Sequence, residues 1–254
     1  MSLNKVLLKN HLEHWSKKLQ ANSEQTQNDQ NERAQRVTFY KSFTEDRIMS
    51  MSPEDIYEYL SRLWAMKIWG NKQYVVNTLL EKHSIEEVRS KLRDLVWGKS
   101  ALAIRWDSFR RAISGLGPAM ISEILCHVHP DENLLWNRRA YVALRYLGIE
   151  DLPRYNYQMT GDRYESLCKV GRLTADEMRA FGIENVNLLT VDYFIWDELQ
   201  VEENLSNLHS KDVTKEPRLD EAPKNEIVSE FLHEEVQNKL ADIGTWLGFK
   251  AETE

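Results

Sequence analysis

A pair of glycines between two apolar helical patterns constrains the fold of this chain most. Gly115 and Gly117 are separated by one leucine, and Pro118 follows them directly. Glycine adopts backbone angles that side chains disfavour, and proline at a first helical position loses no hydrogen bond. The pattern predicts two helices, over residues 105–113 and 118–128, joined by a tight turn. The second helix would direct free N–H groups and its positive dipole end outward, where phosphate binds; a plain helix connection is the alternative.

The composition favours a wholly helical protein. The chain has 254 residues, of which 42% are hydrophobic, so a sizeable core is expected. Ten glycines and six prolines are few for a sandwich or a barrel. Apolar residues recur at helical spacing, and no alternating run predicts a strand. We therefore expect an all-α domain of nine or ten helices over residues 1–200.

Local signals place most of the helices. Ser52 and Pro53 predict one helix start, Ser84 predicts another through a capping box, and Gly148 ends a helix that begins near Trp136. The polar stretch 21–32 almost lacks apolar groups and predicts a mobile loop. Further helices are predicted over residues 3–19, 74–82, 162–170 and 188–199, with another beginning at Thr174.

The C-terminal quarter has a different character. Residues 201–225 are charged and include two prolines, which indicates a linker. Residues 226–254 contain an amphipathic helix and are expected to begin a further domain of a longer protein. This helix resembles the opening helix of restriction-type nuclease domains, where an early glutamate and later carboxylates bind magnesium. Since those later carboxylates would lie beyond this chain, no nuclease activity is expected; a helix that packs on the preceding domain is the alternative.

Cysteine use and hydropathy bear on the compartment. Cys126 and Cys168 are the two cysteines of the chain, and no secretory signal precedes them. This predicts a reducing compartment without a disulfide framework, hence a cytoplasmic protein. No apolar run reaches the length of a membrane span, so no membrane association is expected.

The charge distribution is uneven. The net charge is −7, and all of that excess lies after residue 200, where 13 acidic and 6 basic residues occur. Residues 99–145 carry seven basic and four acidic residues, so the glycine hairpin lies in a mildly basic region. Phosphate binding needs that sign of charge, although the small excess argues against tight non-specific binding.

Residues 105–148 resemble the helix-hairpin-helix superfamily of DNA glycosylases. The segment Ile113-Ser114-Gly115-Leu116-Gly117 is similar to the family's hairpin, an apolar residue followed by two glycines with an apolar residue between them. The resemblance implies a glycosylase-like all-α fold built around this motif. It also implies a monovalent cation at the hairpin carbonyls in some members, and no other cofactor is expected.

The family's catalytic groups are missing at the matching positions. Asn137 stands where the family has its catalytic aspartate, and Ala119 stands where bifunctional members have a nucleophilic lysine. An amide carries no charge and takes no proton near neutral pH. Two cysteines are also too few for the iron–sulfur cluster of some members. A shifted alignment would instead nominate Asp131 or Glu132 as the carboxylate.

The candidate DNA-binding residues follow from the hairpin. The resemblance implies that backbone groups of Gly115, Leu116, Gly117 and Ala119 hold a phosphate. Four arginines could neutralise neighbouring phosphates, namely Arg110, Arg111, Arg138 and Arg139.

Trp136 and Asn137 allow two interpretations. They could stack on and hydrogen-bond to a flipped base, or they could be a core residue and a helix cap. His127 and His129 differ in helical phase and predict no metal site. Four tyrosines are expected in the core or at its rim rather than as a stacking platform, namely Tyr141, Tyr146, Tyr155 and Tyr157.

Non-catalytic DNA binding through phosphate contacts is the function that these observations predict. The chain would then be the targeting part of a larger restriction or repair protein. Two alternatives remain open: an active DNA N-glycosylase that uses an unrecognised carboxylate, and a protein-interaction module whose hairpin merely connects helices. The neutral body and the acidic tail favour that last alternative, in which a protein partner replaces DNA.

Overall fold

The computed structural model describes residues 3–200, and every regular element within them is helical. The predicted all-α fold class is confirmed for this part of the chain. The predictions for residues 201–225 and 226–254 lie outside it. The α-helices are α1 (Lys5–Ala21), α2 (Glu24–Lys41), α3 (Glu45–Met49), α4 (Pro53–Ser61), α5 (Lys72–Lys82), α6 (Ile85–Trp97), α7 (Leu102–Ala112), α8 (Pro118–Val128), α9 (Arg138–Tyr146), α10 (Gly161–Ala180) and α11 (Leu188–Asp197). Two short 3₁₀ helices span Trp64–Ile68 and Asn156–Gln158.

The helix starts predicted at Ser52, Ser84 and Pro118 are confirmed, although the structure shows only one half of the capping box predicted at Ser84. The Ser52 hydroxyl accepts from the backbone N–H of Asp55, whose carboxylate accepts in return from the backbone N–H of Ser52. Ser84 caps α6 through the N–H of Glu87. Pro118 occupies the first turn of α8. These side chains and prolines fix the starts of α4, α6 and α8.

The prediction of a mobile loop over residues 21–32 is wrong. Ser23 caps α2, which then runs without a break through this polar stretch. The helix packs on α8, and the buried Asp29 carboxylate accepts a hydrogen bond from the Tyr193 hydroxyl. Tertiary contacts of this kind stabilise a helix whose own sequence lacks an apolar stripe.

The predicted break between residues 170 and 174 is also absent. The helix α10 continues through it, and the buried Thr174 side chain satisfies its hydroxyl by donating to the carbonyl of Val170 one turn earlier. Gly171 lies where a Cβ would come within 3.1 Å of the Leu134 side chain. Threonine and glycine therefore mark close packing here and not a helix boundary.

At the centre of the described fold lies α8. Ten of its eleven residues are buried, and Ala119 is the exception. The helix packs against α2, α6, α11 and the 3₁₀ helix Trp64–Ile68. Among residues 3–200, no helix combines the length and the hydropathy that crossing a membrane requires.

Candidate nucleic-acid interface

The connection between α7 and α8 presents backbone N–H groups without an internal acceptor. Gly115 is exposed, Gly117 is partly exposed, and no side chain caps α8. Within residues 3–200, nothing accepts a hydrogen bond from the N–H of Gly115, Leu116, Gly117 or Ala119. Leu116 is buried and anchors the turn in the core. Free amides at the start of an 11-residue helix suit an anion.

The two glycines of the hairpin play different roles. Gly115 has φ +90°, in the left-handed region that favours glycine. Gly117 has φ −81° and ψ 171°, which any residue adopts, so the expectation that both glycines supply forbidden angles is wrong for Gly117. A Cβ at this position would meet only the Asn156 side-chain nitrogen, at 3.9 Å. The described fold therefore does not require glycine at position 117, and space remains beside it.

The four candidate arginines have different surroundings. The Arg110 guanidinium is half-buried and donates to the carbonyl of Met159, and burial lowers the pKa of Arg110. Arg111 is exposed and donates to the carbonyl of Asp107 at 3.2 Å. Arg138 and Arg139 are exposed in the first turn of α9, where neither side chain has an ion pair or hydrogen bond with the rest of the described chain. Arg110 thus has a structural role, whereas Arg138 and Arg139 are open to a ligand.

The hairpin borders a cavity of about 920 Å³, which we call the arginine-lined cavity. Ala119 and Asn156 belong to its wall, and each lies next to the hairpin in sequence or in space. Six cationic side chains line it: Arg33, Lys67, Arg138, Arg139, Arg145 and Arg154. Five large aromatic side chains line it as well: Trp64, Trp136, Tyr141, Tyr155 and Trp196. Ligand sites commonly combine apolar walls with a few convergent polar groups, and this cavity has the volume of one.

Trp136 and Asn137 match the core-and-cap interpretation. Trp136 is 7% exposed, and its backbone N–H donates to the Ser122 hydroxyl at 2.9 Å. The Asn137 side-chain oxygen accepts from the backbone N–H of Ala140 at 2.9 Å and caps α9. Both residues also lie in the cavity wall. Because capping occupies the amide oxygen, Asn137 has only its NH₂ group to offer a ligand.

Two cavity-lining carboxylates were missed at the sequence level. Glu123 on α8 and Asp192 on α11 are both buried. Glu123 is the one carboxylate in the mostly apolar run Met120–Val128, and Asp192 is the one carboxylate in the run Leu188–Trp196. A lone acidic residue on an otherwise apolar helix is the signal that could have identified them, since buried carboxylates need a partner or a purpose.

The surroundings of the two carboxylates differ sharply. Glu123 accepts from the backbone N–H groups of Trp64 and Ala65 and lies 3.3 Å from the His127 ring. Asp192 has no hydrogen bond within the described residues; its nearest cation is Arg33, at 3.8 Å. Burial raises the pKa of Asp192 to about 6, against the opposing influence of Arg33. Perturbed carboxylates in cavities are typical of functional sites.

Arg33 is held by aromatic rings as well as by charge. Its guanidinium lies 4.3 Å from the ring centre of Tyr193, 5.2 Å from that of Trp64 and 5.5 Å from that of Trp196. Its Nε is buried without a hydrogen-bond partner in the described part of the chain. Cation–π contacts thus replace part of its lost hydration, and the Asp192–Arg33 pair is incompletely satisfied.

The alternative carboxylates and the histidines lie elsewhere. Asp131 and Glu132 are exposed and do not line the arginine-lined cavity. His127 stacks on Tyr40, whereas the His129 ring bonds to the carbonyl of Val96. No three potential metal ligands converge within residues 3–200.

No protein-family model, curated protein or solved structure matches this chain. The resemblance to DNA glycosylases therefore rests on residues 105–148 alone. The hairpin, the open arginines and the cavity are the features from which a function can be inferred.

Replacement of Asp192 by asparagine should stabilise the protein in a pH-dependent way. The raised pKa means that the folded state favours the protonated carboxyl, so ionisation costs stability fully above pH 6. This cost falls as the pH drops from about 6 towards 4 and is absent below that. We expect D192N to gain about 3 kcal/mol at pH 8 and only about 0.5 kcal/mol at pH 4.

Urea unfolding of both proteins between pH 4 and pH 8 measures this difference. Glu123→Gln is the matched control and should destabilise the protein, since it weakens the contacts to Trp64 and Ala65. A D192N effect that does not change with pH would contradict the prediction.

Proposed function

We propose that this chain is a non-catalytic DNA-binding protein built on a helix-hairpin-helix, glycosylase-like domain. The N–H groups of Gly115, Leu116, Gly117 and Ala119 bind one phosphate. Arg138 and Arg139 neutralise its neighbours along the strand. The observation that carries the proposal is the placement of unpaired amides beside a cavity with two open arginines in its wall. Such contacts position a protein on DNA and read no sequence.

Two features of the hairpin support a ligand that approaches its backbone. No side chain caps α8, although serine or aspartate at position 117 would supply a cap. The backbone angles of Gly117 would accept such a residue, and only one side-chain atom lies near a Cβ built there. A phosphate at this position would take the place of the missing cap. A monovalent cation at the hairpin carbonyls is part of the same proposal.

The residues at the positions that match the catalytic groups of DNA glycosylases support binding without catalysis. Asn137 uses its amide oxygen as a helix cap, and Ala119 offers no nucleophile. The chain would then locate DNA for an activity carried by a partner or a further domain. Because the body of the chain is neutral overall, we expect moderate affinity, and the few phosphate contacts make that affinity fall as the salt concentration rises.

Asp192 favours a second function, removal of a base from DNA. Its carboxyl lies in the cavity wall and carries a raised pKa. In its ionised form it could stabilise positive charge on the sugar while the bond between base and sugar breaks. Water would then supply the hydroxyl at the sugar, and its proton would leave with the base.

Substitutions at Gly117 should separate DNA binding from stability. Gly117→Asp adds a cap and a negative charge at the phosphate position, so we expect at least a tenfold weaker complex with an unchanged or slightly raised Tm. Gly117→Ala should alter the free energy of unfolding by less than about 0.5 kcal/mol. Fluorescence anisotropy with a labelled 16-base-pair duplex measures the affinity. Wild-type affinity in G117D would exclude the hairpin as the contact.

Removal of Arg138 and Arg139 should reduce the salt dependence of binding. Each phosphate contact contributes about 0.9 to the slope of log K against log salt, so the double alanine variant should lose nearly 2 from that slope. The control replaces Lys9 and Lys17, which are exposed on α1 and do not line the cavity. This control changes the net charge by the same amount. If it lowers the slope of log K against log salt equally, the effect comes from overall charge and not from contacts at Arg138 and Arg139.

Base release tests the second function. We expect neither wild type nor D192N to release a base from duplexes that carry a single uracil or 8-oxoguanine. Strand cleavage at abasic sites in hot alkali, followed by electrophoresis, detects any product. Cleavage by wild type that disappears in D192N would establish the glycosylase alternative instead.

A further inference from the structure

The loop that follows α9 carries two stacked tyrosines. The ring centres of Tyr155 and Tyr157 are 5.6 Å apart, and the planes differ by 7°. Tyr155 lies in the wall of the arginine-lined cavity, whereas Tyr157 is 65% exposed. The pair thus extends an aromatic surface from the cavity into solvent. This placement differs from the core or rim position that the sequence predicts for Tyr157.

Hydrogen bonds hold this loop in place. The Gln158 side chain accepts from the backbone N–H groups of Arg154, at 2.8 Å, and Tyr155, at 3.1 Å. The carbonyl of Met159 accepts from the Trp106 indole and from Arg110 on α7. The backbone that carries the tyrosines is therefore held in place before any ligand binds, which lowers the entropic cost of stacking on them.

The tyrosine pair lies beside the hairpin. The Asn156 side-chain nitrogen, between the two tyrosines in sequence, is 3.9 Å from the position of a Cβ at Gly117. Residues 152–161 contain no acidic side chain. The Arg154 guanidinium lies 5.6 Å from the Tyr155 ring centre. A nucleotide whose phosphate binds the hairpin would therefore meet aromatic groups and no carboxylate from residues 152–161.

We propose that Tyr155 and Tyr157 form a stacking platform for an unpaired base, so that this chain binds DNA with an unpaired nucleotide better than perfect duplex. The inference rests on the proposed function, because the hairpin must first bind the strand. A base in perfect duplex already stacks on both neighbours, whereas an unpaired base is free to stack on Tyr157. Stacking of this kind tolerates any base and supplies no sequence preference.

Two labelled DNAs test the proposal, a 16-base-pair duplex and the same duplex with one unpaired adenine. We expect wild type to bind the bulged DNA about tenfold more tightly, the range that one stacked base supplies. Tyr157→Ala should reduce this preference to less than twofold and leave the affinity for perfect duplex within twofold. Tyr157→Phe should keep the preference, since it keeps the ring. Circular dichroism verifies that each variant is folded.

A second measurement reports stacking directly. With 2-aminopurine as the unpaired base, wild type should quench its fluorescence and Y157A should not. Ile104→Ala is the matched control, because this residue is 61% exposed on α7 and lies outside the cavity. It should alter neither readout.

The outcomes distinguish a failure of the stacking platform from a failure of the proposed DNA binding. Equal wild-type affinity for the two DNAs, or a preference that survives in the Y155A/Y157A double variant, would refute the platform and leave phosphate binding intact. Failure of wild type to bind either DNA would refute both proposals and favour the protein-interaction alternative.

Discussion

Two adjacent polar side chains on α8 position the two walls of the arginine-lined cavity. The Ser122 hydroxyl accepts from the backbone of Trp136, and the Glu123 carboxylate accepts from the backbone of Trp64 and Ala65. The rest of α8 is almost wholly buried, so these contacts form in a water-poor interior where charge-assisted hydrogen bonds are strong. The same helix begins at the hairpin. The helix α8 therefore sets the position of the free amides relative to Trp136 on one side of the cavity and to Trp64 and Ala65 on the other.

The two buried carboxylates of the cavity differ in how well the surrounding protein satisfies them. Glu123 accepts from two backbone N–H groups, which joins α8 to the 3₁₀ helix Trp64–Ile68. Asp192 has no hydrogen bond within the described residues, and burial raises its pKa against the opposing influence of Arg33 and Arg139. A wholly structural position would favour a neutral or a fully paired residue, since an incompletely satisfied charge costs stability. Asp192 is therefore the less well satisfied of the two carboxylates in this cavity wall.

The sequence predicts what is local in this fold and misses what depends on tertiary contacts. Ser52, Ser84 and Pro118 mark helix starts because their hydrogen bonds and backbone angles involve only neighbouring residues. The helix α2 was missed because its polar sequence owes its stability to α8. Thr174 suggested a boundary because the close contact of Gly171 with Leu134 is invisible in sequence.

For the candidate site, the same division holds. The hairpin, the Asn137 cap and the exposure of Arg138 and Arg139 follow from local pattern. The cavity does not, because α2, α8, α9 and α11 all contribute to it from distant parts of the chain. Glu123 and Asp192 line one cavity because these helices pack together, although each carboxylate stands out in the sequence as the one acidic residue of an apolar helical run.

Arg110 illustrates why position in a basic segment is not sufficient to assign a phosphate contact. Its guanidinium is half-buried and bonds to the Met159 carbonyl, whereas the adjacent Arg111 is exposed. A buried guanidinium with a backbone partner gains little by turning to a phosphate, because it would leave that carbonyl unpaired. In the proposed complex its contribution would be indirect. The bond to Met159 joins the loop of Tyr155 and Tyr157 to α7, the helix that leads into the hairpin, so the proposed phosphate contact and the proposed base stacking would be attached to the same helix.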